Sequence, residues 1–202
     1  MITGYVIIRD QTIIVDGAKI FSEKISLGEF LLQAYDHLKI DYPKFYKMDN
    51  LSRLGFLAAE LLLSRHPIDA YSPSETGVIL SNSNSSLDTD LKYLAASKKM
   101  ASPALFVYTL PNIVVGEICI RHKVKGENAF FVSKMFDADL LTDYVDMLFQ
   151  SDVARACLAG WVDVLEEQHE VLLYLTEKNT AGTAGEEADR LLELYKKEIW
   201  NN

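Results

Sequence analysis

SPALFVYTLPNIVVGEICIRHKVKGENAFFVSKM, residues Ser102 to Met135, is the stretch whose reading decides the fold. Pro111-Asn112 interrupts the chain and introduces a helix over Ile113 to Ile120. Lys125-Gly126 is a turn signal, and it leads into a β-branched and aromatic run, Asn128 to Ser133, that reads as a strand. A helix from about Asp137 to Phe149 follows, with Asp137 or Asp139 near its cap.

The flanks extend this alternation. Upstream, Thr76-Gly77-Val78-Ile79-Leu80 is a short continuous apolar run suited to a buried strand. The polar loop Ser81 to Ser86 connects it to a helix over Leu87 to Ala96, with Leu87, Leu91 and Leu94 in register. Earlier still, Leu51 to Ser64 reads as a helix capped by Asn50, and Leu27 to Ile40 as another that Pro43 would end. Tyr5 to Ile14 reads as a strand pair. Downstream, Ala154 to Val164 and Glu170 to Thr176 read as strands joined by a turn at Glu166-Glu167-Gln168. A small-residue linker, Asn179 to Gly185, precedes a charged amphipathic helix from Glu186 to Trp200. Strands alternating with helices predict an α/β sheet covered on both faces.

Composition narrows the function classes. The chain has 202 residues, of which 49% are hydrophobic and 24% charged, so it can bury a core. Asp and Glu number 29 against 20 Lys and Arg, a formal net charge of −9. That balance disfavours phosphate backbones and anionic lipid, so neither nucleic acid nor membrane is an expected partner. Cys119 and Cys157 form no metal-binding or disulfide pattern. The opening residues Met1 to Tyr5 lack a basic segment followed by an apolar run, and the stretch Leu105 to Ile120 is interrupted by Pro111, Asn112 and Glu117. Cytoplasm is the expected location. No metal or cofactor is expected.

Several residues in the central stretch resemble β-ketoacyl synthases, the condensing enzymes. Ser102-Pro103, Asn112, Gly116, Gly126 and Asn128 fall in that family's order. Asp49 to Arg53 with Ala58-Ala59 looks like its first helix, Thr76 to Ser81 like its Val-Gly-Val-Ile-Gly-Ser strand, and Ala159 to Asp163 like its Ala-Gly-Gly-Ala-Glu strand. The resemblance implies the amino-terminal half of a thiolase-like fold: a five-stranded mixed sheet with helices on both faces. It implies a half-domain over residues 1–178, with 179–202 as linker and carboxy-terminal helix. In the family a second half carries two histidine motifs, and neither is found in this sequence.

The family's nucleophilic cysteine falls at Met135. A thioether has no proton to lose and forms no acyl thioester. Met135 is read first as a core residue that fills space, and also as a plug in an old acyl pocket. Ser133 is the nearby hydroxyl, but no histidine is spaced to activate it. The expectation is a subunit that does not catalyse alone and, if it retains activity, belongs with the acyltransferases.

The resemblance further implies a chain-length factor, a nucleophile-less subunit that pairs with a full-length ketosynthase and shapes its acyl tunnel in fatty acid, polyketide or aryl-polyene biosynthesis. The pairing strand would be Asn128, Ala129, Phe130, Phe131, Val132 and Ser133. The tunnel candidates are Leu87, Leu91, Leu105 and Met135, the three leucines being otherwise plain core. An acyl carrier protein would dock mainly on the partner, because this chain is itself acidic. The alternatives are a homodimeric scaffold or binding module and, third, a residual thioesterase or decarboxylase. Other constellations read as structural. Asp36-His37 is a solvated helix face, and Arg121-His122-Lys123 a basic helix end. Asp137, Asp139, Asp143 and Asp146 cap and solvate one helix, while His66 and His169 sit beside turns.

Overall fold

The computed structural model describes residues 1–100, 102–178 and 184–197. The strands are β1 (Ile2–Arg9), β2 (Thr12–Val15), β3 (Ala18–Ser22), β4 (Thr76–Asn82), β5 (Asn128–Val132), β6 (Ala156–Leu165) and β7 (Gln168–Glu177). The helices are α1 (Leu27–His37), α2 (Asn50–Arg65), α3 (Leu87–Ser97), α4 (Pro103–Val107), α5 (Ile113–His122), α6 (Ala138–Gln150) and α7 (Ala184–Lys197). All strands join one mixed sheet in the order β3-β2-β1-β7-β6-β4-β5. β4 runs parallel to β5 and β6, and the other neighbours are antiparallel.

The sheet has seven strands, not the five expected from the resemblance. The extra width lies at the amino-terminal edge, where two tight turns fold the chain back twice. Asp10 and Gln11 both have positive φ between β1 and β2, and Asp16 and Gly17 do so between β2 and β3. Paired left-handed residues match the twist of a two-residue hairpin. Asp16-Gly17 is a legible hairpin signal, and it adds β3 beyond the strand pair expected over Tyr5 to Ile14.

Smaller boundary differences have local causes. α1 ends at His37, before Pro43, because Lys39 takes a left-handed conformation. Asp49, not Asn50, caps α2: its carboxylate accepts from Ser52 N at 2.9 Å, and Asn50 is the first helical residue. α7 begins at Ala184, two residues early, and the expected linker at 179–183 and helix end at 198–200 lie outside the described residues.

β4 is buried along its whole length because helices cover both faces of the sheet. On the front face, α1, α2 and α5 pack against Val6, Ile8, Val78, Leu80, Leu158, Val162 and Leu173. On the back face, α6 and α7 pack against Ile7, Ile79, Cys157, Ala159, Trp161, Leu172 and Tyr174. Gly126 explains itself: a Cβ there would run into the backbone carbonyls of Thr76 and Ser74, so the turn into β5 closes only without a side chain. Gly116 meets nothing within 4 Å, and sterics do not require it.

Candidate partner interface

β5 is an edge strand. It pairs with β4 on one side, from Val78↔Asn128 to Asn82↔Val132. The opposite edge offers backbone donors and acceptors, a surface on which another strand can add. The side chains divide between the faces: Phe130 packs on the front cluster, while Ala129 and Phe131 pack on the back one. Phe131 meets Tyr144 edge-on at 5.1 Å. Asn128 and Val132 are exposed, and Ser133 N donates to Asn82 O at 2.8 Å.

Because β4 and β5 are parallel, their carboxyl ends lie together, and the chain leaves β5 into Met135 beside the loop that leads from β4 to α3. Met135 is 64% exposed. It therefore does not fill the core of this chain, which corrects that reading of the position. Phe136, next to it, is the residue that turns inward. Asp137 then caps α6 by accepting from Leu140 N at 3.0 Å.

Helix α3 is amphipathic in an unusual sense. Its inward face carries Asp88 and Thr89, both buried, whereas Leu87, Leu91 and Leu94 are 40%, 46% and 59% exposed. The plain-core reading of Leu87 and Leu91 is thus overturned, and Leu105 on α4 is half-buried. α4 and its sequel add exposed Phe106, Val107 and Leu110, which the sequence reading did not single out. Tyr93 and Phe106 bring α3 and α4 together, with ring centroids 5.6 Å apart.

Polar bonds fix this arrangement from beneath. Asp163, at the carboxyl end of β6, accepts from Ser83 N and Oγ at 3.2 and 2.8 Å and from Asn84 N and Nδ2 at 3.0 and 2.8 Å. Asn82 exchanges two bonds with the Ser85 backbone, and Ser86 Oγ donates to Thr109 O at 2.9 Å. Thr89 Oγ1 donates to Asp49 at 2.7 Å. Asp88 accepts from Asn50 Nδ2, Lys92 Nζ and Glu166 N. Burial raises the Asp49 pKa, with bonds from Ser52 and Thr89 opposing it. The Ser81–Ser86 loop is therefore a bonded platform for α3.

The remaining candidates stay apart from this end of the sheet. Arg121 and His122 both engage Glu60, at 2.7 and 3.1 Å. Burial would raise the Glu60 carboxyl, but bonds from His122 and Arg121 outweigh it and hold the pKa down to about 2. His66 pairs with Asp16 at 2.9 Å, His169 lies 6.0 Å from the Phe30 ring, and His37 lies 5.1 Å from Phe21. Burial pushes the Cys119 thiol up to about 11 and that of Cys157 up to about 12, which keeps both protonated and unreactive at neutral pH. Among the described residues, no cluster of three or more His, Cys, Asp or Glu could hold a metal ion, and no helix is long and apolar enough to cross a membrane.

The architecture, a mixed sheet with helices on both faces, is the thiolase-like fold of solved ketosynthase structures. No family model and no curated protein sequence matches the chain. Solved structures do. One is the ishigamide ketosynthase/chain length factor, with TM-score 0.65 and 17% identity over 90% of this chain and 62% of that one. A second is the ketosynthase ApeO in complex with its chain length factor ApeC from Xenorhabdus doucetiae, with TM-score 0.60 and 14% identity over 90% of this chain and 79% of that one. A third is AntDE:AntF, a type II polyketide acyl-carrier protein in complex with its ketosynthase bound to the hexaketide. It has TM-score 0.60 and 15% identity over 88% of this chain and 62% of that one. The chain thus has this fold while spanning 62% of the first and third of these chains.

Proposed function

We propose that this chain is a ketosynthase-like subunit without a nucleophile, which pairs with a full-length β-ketoacyl synthase and helps wall its acyl tunnel, as a chain length factor. The observation that carries the reading is the carboxyl end of β4 and β5. There the edge strand β5 leads to the exposed Met135, and the loop that leaves β4 leads to α3, whose leucines face outward. Exposed apolar residues gathered this way mark a surface that a partner covers. Asn128 to Ser133 would add to the partner's sheet. Leu87, Leu91, Leu105 and Met135 would then face the tunnel, and Met135 supplies bulk where a condensing enzyme has its thiol. The neighbours named above are ketosynthases with a chain length factor or carrier protein, which accords with this pairing. The carrier would approach through the partner, because a chain of net charge −9 repels an acidic protein.

Co-expression with each full-length ketosynthase encoded in the same genome tests the reading. The chain should co-purify with one of them, and product chain length should differ from that of the ketosynthase alone. Absence of a complex, or an unchanged product profile, overturns it. The same edge strand would also serve a homodimer of this chain. That second reading predicts a stable dimer without the ketosynthase.

A further inference from the structure

The back face carries a feature that the pairing surface does not use. Trp161 Nε1 and Tyr174 OH are buried hydrogen-bond donors without a partner. They sit on neighbouring strands, in the register Ala159↔Tyr174 and Trp161↔Leu172, and belong to the cluster beneath α6 and α7. An unpaired buried donor penalises the state that buries it, because in water the same group would be bonded.

What closes over them is α7. Its apolar anchorage is thin: Ala188 and Leu191 are its buried side chains, with Leu192 and Tyr195 partly buried. Polar contacts fasten it at both ends. Near the start, Glu187 accepts from Thr176 Oγ1 at 3.2 Å, and Tyr174 lies within its electrostatic reach. Near the end, Tyr195 OH donates to Glu170 at 2.5 Å, Arg9 bonds the same carboxylate, and the Tyr195 ring stacks on Phe136 at 4.6 Å. Phe136 in turn meets Trp161 edge-on at 6.3 Å.

We infer that α7 is a strap over the back face, latched at both ends, which lifts as a unit while the rest of the sheet stays folded. Three features converge on this. Few apolar side chains hold the helix, its polar ties lie near its two ends apart from one long bond at mid-helix, from Arg190 Nη1 to Ile2 O at 3.4 Å, and its closure leaves two donors unpaired that water would satisfy once it lifts. Such elements open locally at lower cost than global unfolding. The inference does not depend on the partner proposed above.

The test uses the full chain with Trp200→Phe, so that Trp161 is the remaining tryptophan. Leu191→Arg should detach α7. Acrylamide quenching of Trp161 should then rise severalfold, while amide exchange in β4 and α2 stays as slow as in the parent. Loss of protection across the whole sheet, or Trp161 quenching unchanged, overturns the strap. Tyr174→Phe is the second arm. Removing an unpaired hydroxyl should slow exchange of the α7 amides or leave it unchanged, whereas faster exchange would show the hydroxyl to be bonded and overturn the inference.

Discussion

Asp163 supports the whole α3 platform, so Asp163→Ala is the most informative perturbation of the candidate interface. The carboxylate accepts from two backbone N–H groups, Ser83 and Asn84, and from two side-chain donors of the same residues. The side chains can turn to water when the acceptor goes. The backbone groups turn less freely, because Asn82 fixes the loop from its other side through Ser85. Bonds to a charged acceptor contribute about 1.5–3 kcal/mol each, and losing both backbone bonds in a shared loop sums to less than twice that. We therefore expect a loss of about 3 kcal/mol, with Asp163→Asn losing roughly half because one acceptor oxygen remains. Urea denaturation measures the loss, and hydrogen exchange locates it in residues 82–86 and the first turn of α3. A change of less than about 0.5 kcal/mol for the alanine variant, typical of a neutral surface site, would refute the reasoning.

Three further outcomes follow. Glu60 has its carboxyl lowered from the ordinary 4.5 to about 2, so its pairing stabilises the fold fully above pH 4.5 and is lost as pH falls towards 2. Solvent screening at this half-buried site leaves on the order of 1–2 kcal/mol of that shift as stability, and Glu60→Gln should flatten that acid limb in a stability-against-pH series. Met135→Cys should react readily with a thiol reagent at neutral pH, against slow reaction of Cys119 and Cys157, because position 135 is 64% exposed. It should confer no condensing activity on this chain, as each of its histidines is engaged elsewhere; measurable acyl transfer would contradict that. Leu91→Asp should change the stability of the isolated chain by no more than about 0.5 kcal/mol, since the side chain is 46% exposed, yet weaken co-purification with a ketosynthase.

Much of the fold was legible because periodicity reports burial. The apolar run Thr76 to Leu80 and the spacing of Leu54, Leu57, Ala58, Leu61 and Leu62 both translate directly into buried strand and helix. The limits came from the same source. Leu87, Leu91 and Leu94 have helical spacing, which suggested an inward stripe, but periodicity locates a stripe without saying which way it faces. That direction is set by Asp88 and Thr89, whose partners lie on α2 and in the β6–β7 turn, remote in sequence. The Asp163 clamp was hidden for the same reason, being 79 to 80 residues from the loop it holds.

Those polar pins also bear on what the outward leucines are for. An isolated helix settles with its apolar stripe towards the core, because that burial drives its packing. α3 does the reverse, and two carboxylates, the buried Asp88 and the half-buried Asp49, hold it there. Burying such groups is costly even when they are bonded, so this orientation opposes the cheapest solution for a free-standing chain. The conflict disappears when a second surface covers Leu87, Leu91 and Leu94. The stripe then lies inside a joint core, and the carboxylates set its angle. If that reasoning holds, exchanging Asp88 for leucine should loosen α3 in the isolated chain and let its stripe turn inward. It should weaken pairing at the same time, even though Asp88 itself touches no partner. Hydrogen exchange along α3, read beside co-purification with the ketosynthase, separates this from a simple loss of stability. Tight pairing with a disordered α3 would show that the pins serve the monomer alone.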